Sequence, residues 1–189
     1  ELARVDDMTG KGWTTFGSAG SGVNQFIQGK GLAIDSRDRI YIVDAGNHRI
    51  IRIDDMTGKG WVTYGTKGSG VGQFEKELNG LSFDAQERIY ISDEHNHRIV
   101  RIDDMTGKSW TEFGSFGSGV GQFDQPHDIW VMKKVHIYVL DTPNGRVVRI
   151  DDMTGKGWIE FAPYATRNPE DMREWTMMAP HGMFVLERT

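Results

Sequence analysis

The sequence contains no cysteine among its 189 residues. Disulfides, thiolate nucleophiles and cysteine-ligated zinc are therefore excluded, while the redox compartment stays undetermined. No run of 18 apolar residues and no secretory hydrophobic region occurs, so the sequence predicts no membrane span. Amphipathic stretches of helical length are almost absent as well. These absences leave a fold built from short strands as the main expectation.

The sequence also has no excess of positive charge, because its formal net charge is −5 and its isoelectric point lies near 5.7. A protein that neutralises many phosphates normally has a basic footprint, so the composition disfavours a nucleic-acid partner but is compatible with a local basic patch. Glycine, by contrast, is abundant at 24 residues and alternates with short runs of Ile, Val, Tyr, Phe and Trp. This pattern predicts many turns that join many strands.

One octapeptide, "DDMTGKGW", occurs three times and once more with a single substitution, "DDMTGKSW". Its tryptophans recur at 48, 49 and 48 residues and are Trp13, Trp61, Trp110 and Trp158. A repeat of this length made of short strands is typical of a β-propeller blade. The sequence thus predicts an all-β propeller of four-stranded antiparallel blades, with about four repeat units.

Each unit can be divided into four strands, of which the last is expected to begin at the repeated tryptophan. Because the octapeptide falls between the third and fourth strands, we interpret it as a hairpin turn in which Gly58 has a positive φ. The predicted divisions are strands three and four of a blade (1–16), three blades (17–65, 66–114 and 115–161), an inserted loop with a short helix (162–180) and the first strand of a further blade (181–189).

The motifs "GVGQF", "QPHDI", "RIYIVD", "DAGNHRI" and "DEHNHRI" make the sequence resemble the NHL-repeat β-propellers. The family takes its name from the Asn-His pair, and the third unit departs from it with Asn144-Gly145. The resemblance implies four-stranded blades around a central axis, commonly six in a closed ring. We expect structural roles for the recurring residues of these motifs: Asp44, Asn47, His48, Arg49, Asp93, Asn96, His97 and Arg98, together with the four tryptophans.

Three interpretations of the incomplete terminal units stay open. The chain is a segment of a longer propeller, which its non-Met start favours, or a four-bladed ring that closes by pairing its ends, or one of two chains that complete each other's blades. The last interpretation predicts self-association, because an open strand edge pairs readily with a copy.

Chemistry is expected where the repeat breaks. At the start of the innermost strands, beside the axial channel, the equivalent positions hold Lys30, Asn79, His127 and His181. His127, His181 and Asp128 are candidate ligands for Zn or Ca in the channel, although a catalytic zinc normally has three protein ligands and the ring shows only two histidines. The repeated turns lack the ligand spacing of an EF-hand, and "TGKS" lacks the helix of a P-loop.

The second break is the segment Ala162–Pro180, which replaces a glycine loop. "NPEDMREW" has the features of a helix start, so a short helix over 169–177 is predicted. Met172, Trp175 and Met178 would share one face of it, either packed on the propeller or available to a partner.

From these observations we expect a non-catalytic module that binds a protein partner or acts as a scaffold, with no cofactor. One alternative is a metal-dependent lyase or hydrolase with its site in the axial channel. The other is single-stranded RNA binding on a circle of arginines, although neighbouring aspartates offset their charge.

Overall fold

The computed structural model describes residues 1–132 and 136–161. Within these ranges, three four-stranded antiparallel sheets follow one another along the chain, so the prediction of an all-β propeller with four-stranded blades is confirmed. No helix in the described part of the chain has the length and apolar character needed to cross a membrane. The inserted loop (162–180) and the strand at 181–189 lie outside the described residues, and with them Met172, Trp175, Met178 and His181.

Each sheet is one blade, and its strands follow one another from the channel outward. Blade I contains β3 (Gly29–Ile34), β4 (Ile40–Asp44), β5 (Arg49–Ile53) and β6 (Val62–Tyr64). Blade II contains β9 (Leu78–Phe83), β10 (Ile89–Asp93), β11 (Arg98–Ile102) and β12 (Thr111–Phe113). Blade III contains β13 (Pro126–Met132), β14 (His136–Asp141), β15 (Arg146–Ile150) and β16 (Ile159–Phe161).

Shorter elements connect the blades. Ahead of blade I, β1 (Leu2–Arg4) pairs antiparallel with β2 (Thr14–Phe16). Between blades I and II, β7 (Thr66–Lys67) pairs in parallel with β8 (Gln73–Phe74). Single turns of 3-10 helix at Ala45–Asn47 and Glu94–Asn96 join the second strand of blades I and II to the third.

The innermost strands β3, β9 and β13 lie side by side and line the axial channel. Two glycines make this close approach possible. A Cβ at position 31 would collide with the backbone oxygen of Asn79, and one at position 80 would collide with the backbone of Ile129. Because neither neighbour is the end of a flexible side chain, the inner strands need glycine at these positions. Asp128 occupies the equivalent position of blade III.

Each pairing between an innermost strand and its neighbour shifts register near the channel entrance. The shift lies between Gly29 and Leu32 in β3 and between Pro126 and Asp128 in β13, and β9 has the same irregularity opposite Ile91–Asp93. A β-bulge bends the strand and changes the direction of the side chains within it. The bulges therefore redirect the residues that distinguish the blades from one another.

The repeated tryptophans lie at the junctions between blades. The ring centroid of Trp110 lies 6.4 Å from that of Tyr64 on the outer strand of the preceding blade, and the guanidinium carbon of Arg98 lies 5.4 Å from the Trp110 ring centroid. The pairs Phe16–Trp61 and Phe113–Trp158 repeat the first contact at the same distance. The outer strand begins one residue after the tryptophan, so the predicted start was wrong by one position.

The octapeptide forms the hairpin between the third and fourth strands, as expected. In the blade I hairpin, Asp55 Oδ1 accepts hydrogen bonds from the backbone N–H and the hydroxyl of Thr57, which lower the pKa of that carboxyl. Gly58 has φ +80° and lies against the ring of Phe16, where a Cβ would not fit. The hairpin thus extends to Gly60, whose φ of +68° places the start of β6 after Trp61.

Candidate functional site

The aspartate of each "DxxN" turn is fully buried and receives hydrogen bonds from the turn and from the preceding loop. Asp44 accepts them from the Ile27 backbone N–H at 2.7 Å, from Asn47 Nδ2 at 2.9 Å and from Arg49 Nε at 2.8 Å. Arg49 also donates to the backbone oxygen of Gln25 at 2.9 Å. The corresponding residues of blades II and III repeat these contacts. In the described blades, these side chains therefore hold the loop between blades against the turn.

The histidine of the Asn-His pair has a left-handed backbone conformation. His48 has φ +57° and His97 φ +53°, and Gly145 has φ +63° in blade III. The departure at Asn144-Gly145 therefore keeps the backbone conformation of the family motif. His97 Nδ1 also accepts a hydrogen bond from the Gln125 backbone N–H at 3.2 Å, whereas His48 Nδ1 is buried without a hydrogen-bond partner in the described structure.

The arginines of the third strands hydrogen-bond within their own blades. Arg52 donates to the Gly60 carbonyl oxygen at 3.2 Å, Arg101 to the Thr111 hydroxyl at 3.1 Å and Arg149 to Asp151 at 3.3 Å. Much of the positive charge that RNA binding would need is thus directed at oxygen atoms of the same blade.

A cavity of about 370 Å³ opens where the innermost strands begin. We call it the mouth cavity, and its lining includes Lys30, Leu32, Asn79, Leu81, His127 and Asp128. Three of these residues lie at the register shifts of β3, β9 and β13. The structure thus brings the candidate metal ligands His127 and Asp128 to one site, while His181 lies outside the described residues.

Two polar contacts behind the rim of the mouth cavity occur only once among the described blades. Lys30 Nζ lies 3.0 Å from Glu77 Oε2, which joins blade I to blade II. Asn79 donates its side-chain N–H to Glu94 Oε2. Burial raises the pKa of Glu94 to about 7, with a further increase from the charge of Glu77 and an opposing effect from Lys30. The hydrogen bond from Lys30 lowers the pKa of Glu77.

Sequence reasoning missed Glu77 and Glu94, although both leave a trace in the repeat. Glu94 replaces Ala45 of blade I and Thr142 of blade III at the same position of the turn. Blade II has one more residue between Phe74 and Gly80 than the other blades have in this segment, which explains the single spacing of 49.

The described residues contain no group of three His, Asp or Glu side chains that could hold a metal ion. His127 and Asp128 line the mouth cavity from the same strand, and Asp128 Oδ1 accepts a hydrogen bond from the Ile129 backbone N–H at 2.9 Å. A channel metal therefore stays a prediction that depends on ligands from elsewhere.

The loops that join one blade to the next lie at the same end of the blades as the mouth cavity, because they are held against the turns at that end. In each loop the glutamine side chain accepts a hydrogen bond from a glycine N–H, as Gln25 does from Gly22 at 3.1 Å. In each of these tight loops, the side chain of one valine is exposed on the surface. The exposed fractions are 69% for Val23, 74% for Val71 and 78% for Val120. We call this end of the propeller the mouth face.

Two family models match the chain. The NHL repeat model matches residues 30–53, and the model of a family described as a 6-bladed β-propeller matches residues 77–160. These two matches support an NHL-repeat β-propeller family for this chain. A search of curated proteins found no match to the sequence of this NHL propeller.

Solved structures that share the fold of the NHL propeller have diverse functions. A catalytically inactive virginiamycin B lyase from Staphylococcus aureus, with quinupristin, has a TM-score of 0.51 at 19% identity over 70% of this chain and 40% of its own. A nidogen/laminin complex has a TM-score of 0.56 at 19% identity, over 73% of this chain and 48% of its own. YCF48 bound to D1 peptide has a TM-score of 0.51 at 18% identity, over 69% of this chain and 40% of its own. This chain spans less than half the length of each protein, and the likeness at these identities shows the fold alone.

Proposed function

We propose that the NHL propeller is a non-catalytic binding module that holds a protein partner on its mouth face. The observation that carries this proposal is the exposed valine in each of the three loops around the mouth cavity. These side chains are at least 69% exposed, so they contribute little to the packing of the described structure. Valines at one end of a rigid scaffold form a surface that a partner can cover.

A second exposed apolar group lies on the same face. Phe116, in the loop between blades II and III, is exposed and its ring centroid lies 4.8 Å from that of His97. Aromatic side chains are enriched at protein interfaces because they bury a large area for a small loss of conformational freedom. The complexes of nidogen with laminin and of YCF48 with a peptide show that proteins of this fold are found with protein or peptide partners.

The proposal can be tested by quantitative affinity capture from the source cells after crosslinking. The test protein carries Val23→Ser, Val71→Ser and Val120→Ser. A matched control carries three equivalent changes of exposed apolar residues at the opposite end, namely Val5→Ser, Met8→Ser and Ile34→Ser. We expect the first protein to lose its specific partner and the control to retain it. Equal retention by both proteins would contradict the proposed surface.

A second copy of the chain is another partner that a specific observation favours. In the described blades, the repeated tryptophan packs against the outer-strand aromatic of the blade before it. Trp13 and Phe161 have the same two positions in the repeat, yet they are 64% and 67% exposed. We therefore propose head-to-tail self-association through these residues. Light scattering should show an oligomer that Trp13→Ser or Phe161→Ser converts to a monomer, and a wild-type monomer at high concentration would refute it.

A further inference from the structure

The wall of the mouth cavity contains a buried hydrogen-bond acceptor without a partner. Asn79 is only 4% exposed, and its Oδ1 has no hydrogen-bond partner among the described residues. Its Nδ2 donates to Glu94, so the amide oxygen is the end left over while Glu94 is ionised. A buried carbonyl oxygen without a donor is costly, and few remain in a folded protein. The site is therefore suited to a ligand that donates a hydrogen bond.

The charges around this oxygen select the kind of donor. Three carboxyl groups, those of Glu77, Glu94 and Asp128, lie on or behind the cavity wall, and Glu94 with its pKa of about 7 is ionised in full only above neutral pH. Among the described lining residues, Lys30 is the one Lys or Arg, and its ammonium is already 3.0 Å from Glu77. Acidic groups exceed basic groups at the site, so it favours a positively charged donor over a neutral one.

The shape of the cavity restricts the ligand further. Leu32, Leu81, Ile129 and Trp130 supply an apolar part of its lining. A volume of about 370 Å³ corresponds to a small ligand or one large side chain rather than a folded segment. An aliphatic stem can contact these side chains while a charged head reaches the polar wall.

We propose that the mouth cavity binds the side-chain ammonium of a lysine that the protein partner presents. This inference rests on the proposed binding function and specifies the chemistry of its central contact. An ammonium is a compact charge with three donors that can be directed to acceptors on different strands, such as Asn79 and Asp128. A guanidinium instead binds best to a planar pair of acceptors, whereas Asn79 offers one amide oxygen and Asp128 Oδ1 already accepts the Ile129 N–H.

The test is an NMR titration of the ¹⁵N-labelled chain with Nα-acetyl-lysine N-methylamide. The control ligand is the norleucine analogue, which has the same stem without the ammonium. We expect chemical-shift changes at the starts of β3, β9 and β13 and at the Asn79 side chain, with binding at least about tenfold weaker for norleucine. Equal binding of the norleucine, arginine or glutamate analogue would overturn the assignment.

Two variants of opposite expected effect separate binding from folding. Asn79→Leu removes the acceptor at similar volume and should weaken lysine binding about tenfold, since one charge-assisted hydrogen bond is lost. Lys30→Gln removes the competing cation and should strengthen the same binding severalfold. Ile34→Ser, at the other end of β3, should leave it unchanged. If Lys30→Gln weakens binding, the site is not selective for cations and the proposal fails.

The result of the lysine titration is independent of the result of the capture experiment on the mouth face. Loss of the partner in the valine variant together with no lysine binding would refute only the lysine contact. Lysine binding together with equal partner retention in the valine variant would refute the docking surface and keep the cavity as a ligand site.

Discussion

Replacing Glu94 with glutamine should stabilise the propeller by much more at pH 8 than at pH 5. Burial raises the pKa of Glu94 from 4.5 to about 7, so the folded protein retains a proton that the unfolded chain has released between these values. Folding stability therefore falls as the pH rises through this range. A tenfold change in proton affinity is worth about 1.4 kcal/mol, which gives a loss of about 3 kcal/mol above pH 7.

The Glu94→Gln side chain keeps an oxygen that accepts the hydrogen bond from Asn79, but it never ionises. Urea unfolding followed by tryptophan fluorescence at pH 5 and pH 8 measures the free energy of unfolding of both proteins. Histidines and other carboxyl groups also titrate, but they are common to the two proteins. The stability difference in favour of the variant should therefore grow from about 1 kcal/mol at pH 5 to about 3 kcal/mol at pH 8.

Glu77→Gln is the matched control, because Glu77 lies beside the same cavity but has a lowered pKa. Its ion pair with Lys30 contributes stability above the unfolded pKa, and this contribution disappears as the pH falls. The variant should thus be no more stable than the wild type at pH 8. If Glu94→Gln changes stability by the same amount at both pH values, within about 0.5 kcal/mol, the burial argument for Glu94 is refuted.

Three further predictions follow from the repeat. Ser109 has φ +57° where the other units have glycine, so Ser109→Gly should stabilise the protein by about 1 kcal/mol in urea unfolding. A lower free energy of unfolding in this variant would contradict the inference that the backbone of Ser109 is strained. Trp110→Ala should cost about 3 kcal/mol because it opens the junction to Tyr64, whereas Val71→Ala at an exposed site should cost less than about 0.5 kcal/mol. Elemental analysis should find metal well below one ion per chain, and zinc near one per chain that a His127→Ala, His181→Ala variant loses would favour the lyase alternative.

The strands could be predicted because the same pattern of short apolar runs and turn residues recurs in every unit. Each strand of the described blades overlaps a predicted strand, and the turn glycine Gly58 has the expected positive φ. The boundary at Trp61 was missed because a second left-handed residue, Gly60, extends the hairpin by one position. Local sequence patterns locate strands better than they locate the residues at which strands end.

The mouth cavity could be predicted only in part. Equivalent positions in the repeat placed Lys30, Asn79 and His127 beside the channel, and all three line one cavity. The partners Glu77 and Glu94 depend on contacts between a loop and a turn that are distant in sequence. The bulge in β9 determines where Asn79 points, and a repeat alignment contains no information on that direction.

The comparison between blades explains why the mouth cavity, rather than the repeated motifs, is available for binding. The aspartate, asparagine and arginine of the repeated turns hydrogen-bond within the scaffold in all three described blades. Asn79, by contrast, occurs in blade II alone and retains an acceptor without a donor. A polar group without a partner is available to a ligand, whereas the paired side chains of the repeated turns are not. A ligand of the mouth cavity should therefore contact blade II through Asn79, and Asn79→Leu should weaken lysine binding about tenfold while urea unfolding shows that the protein still folds.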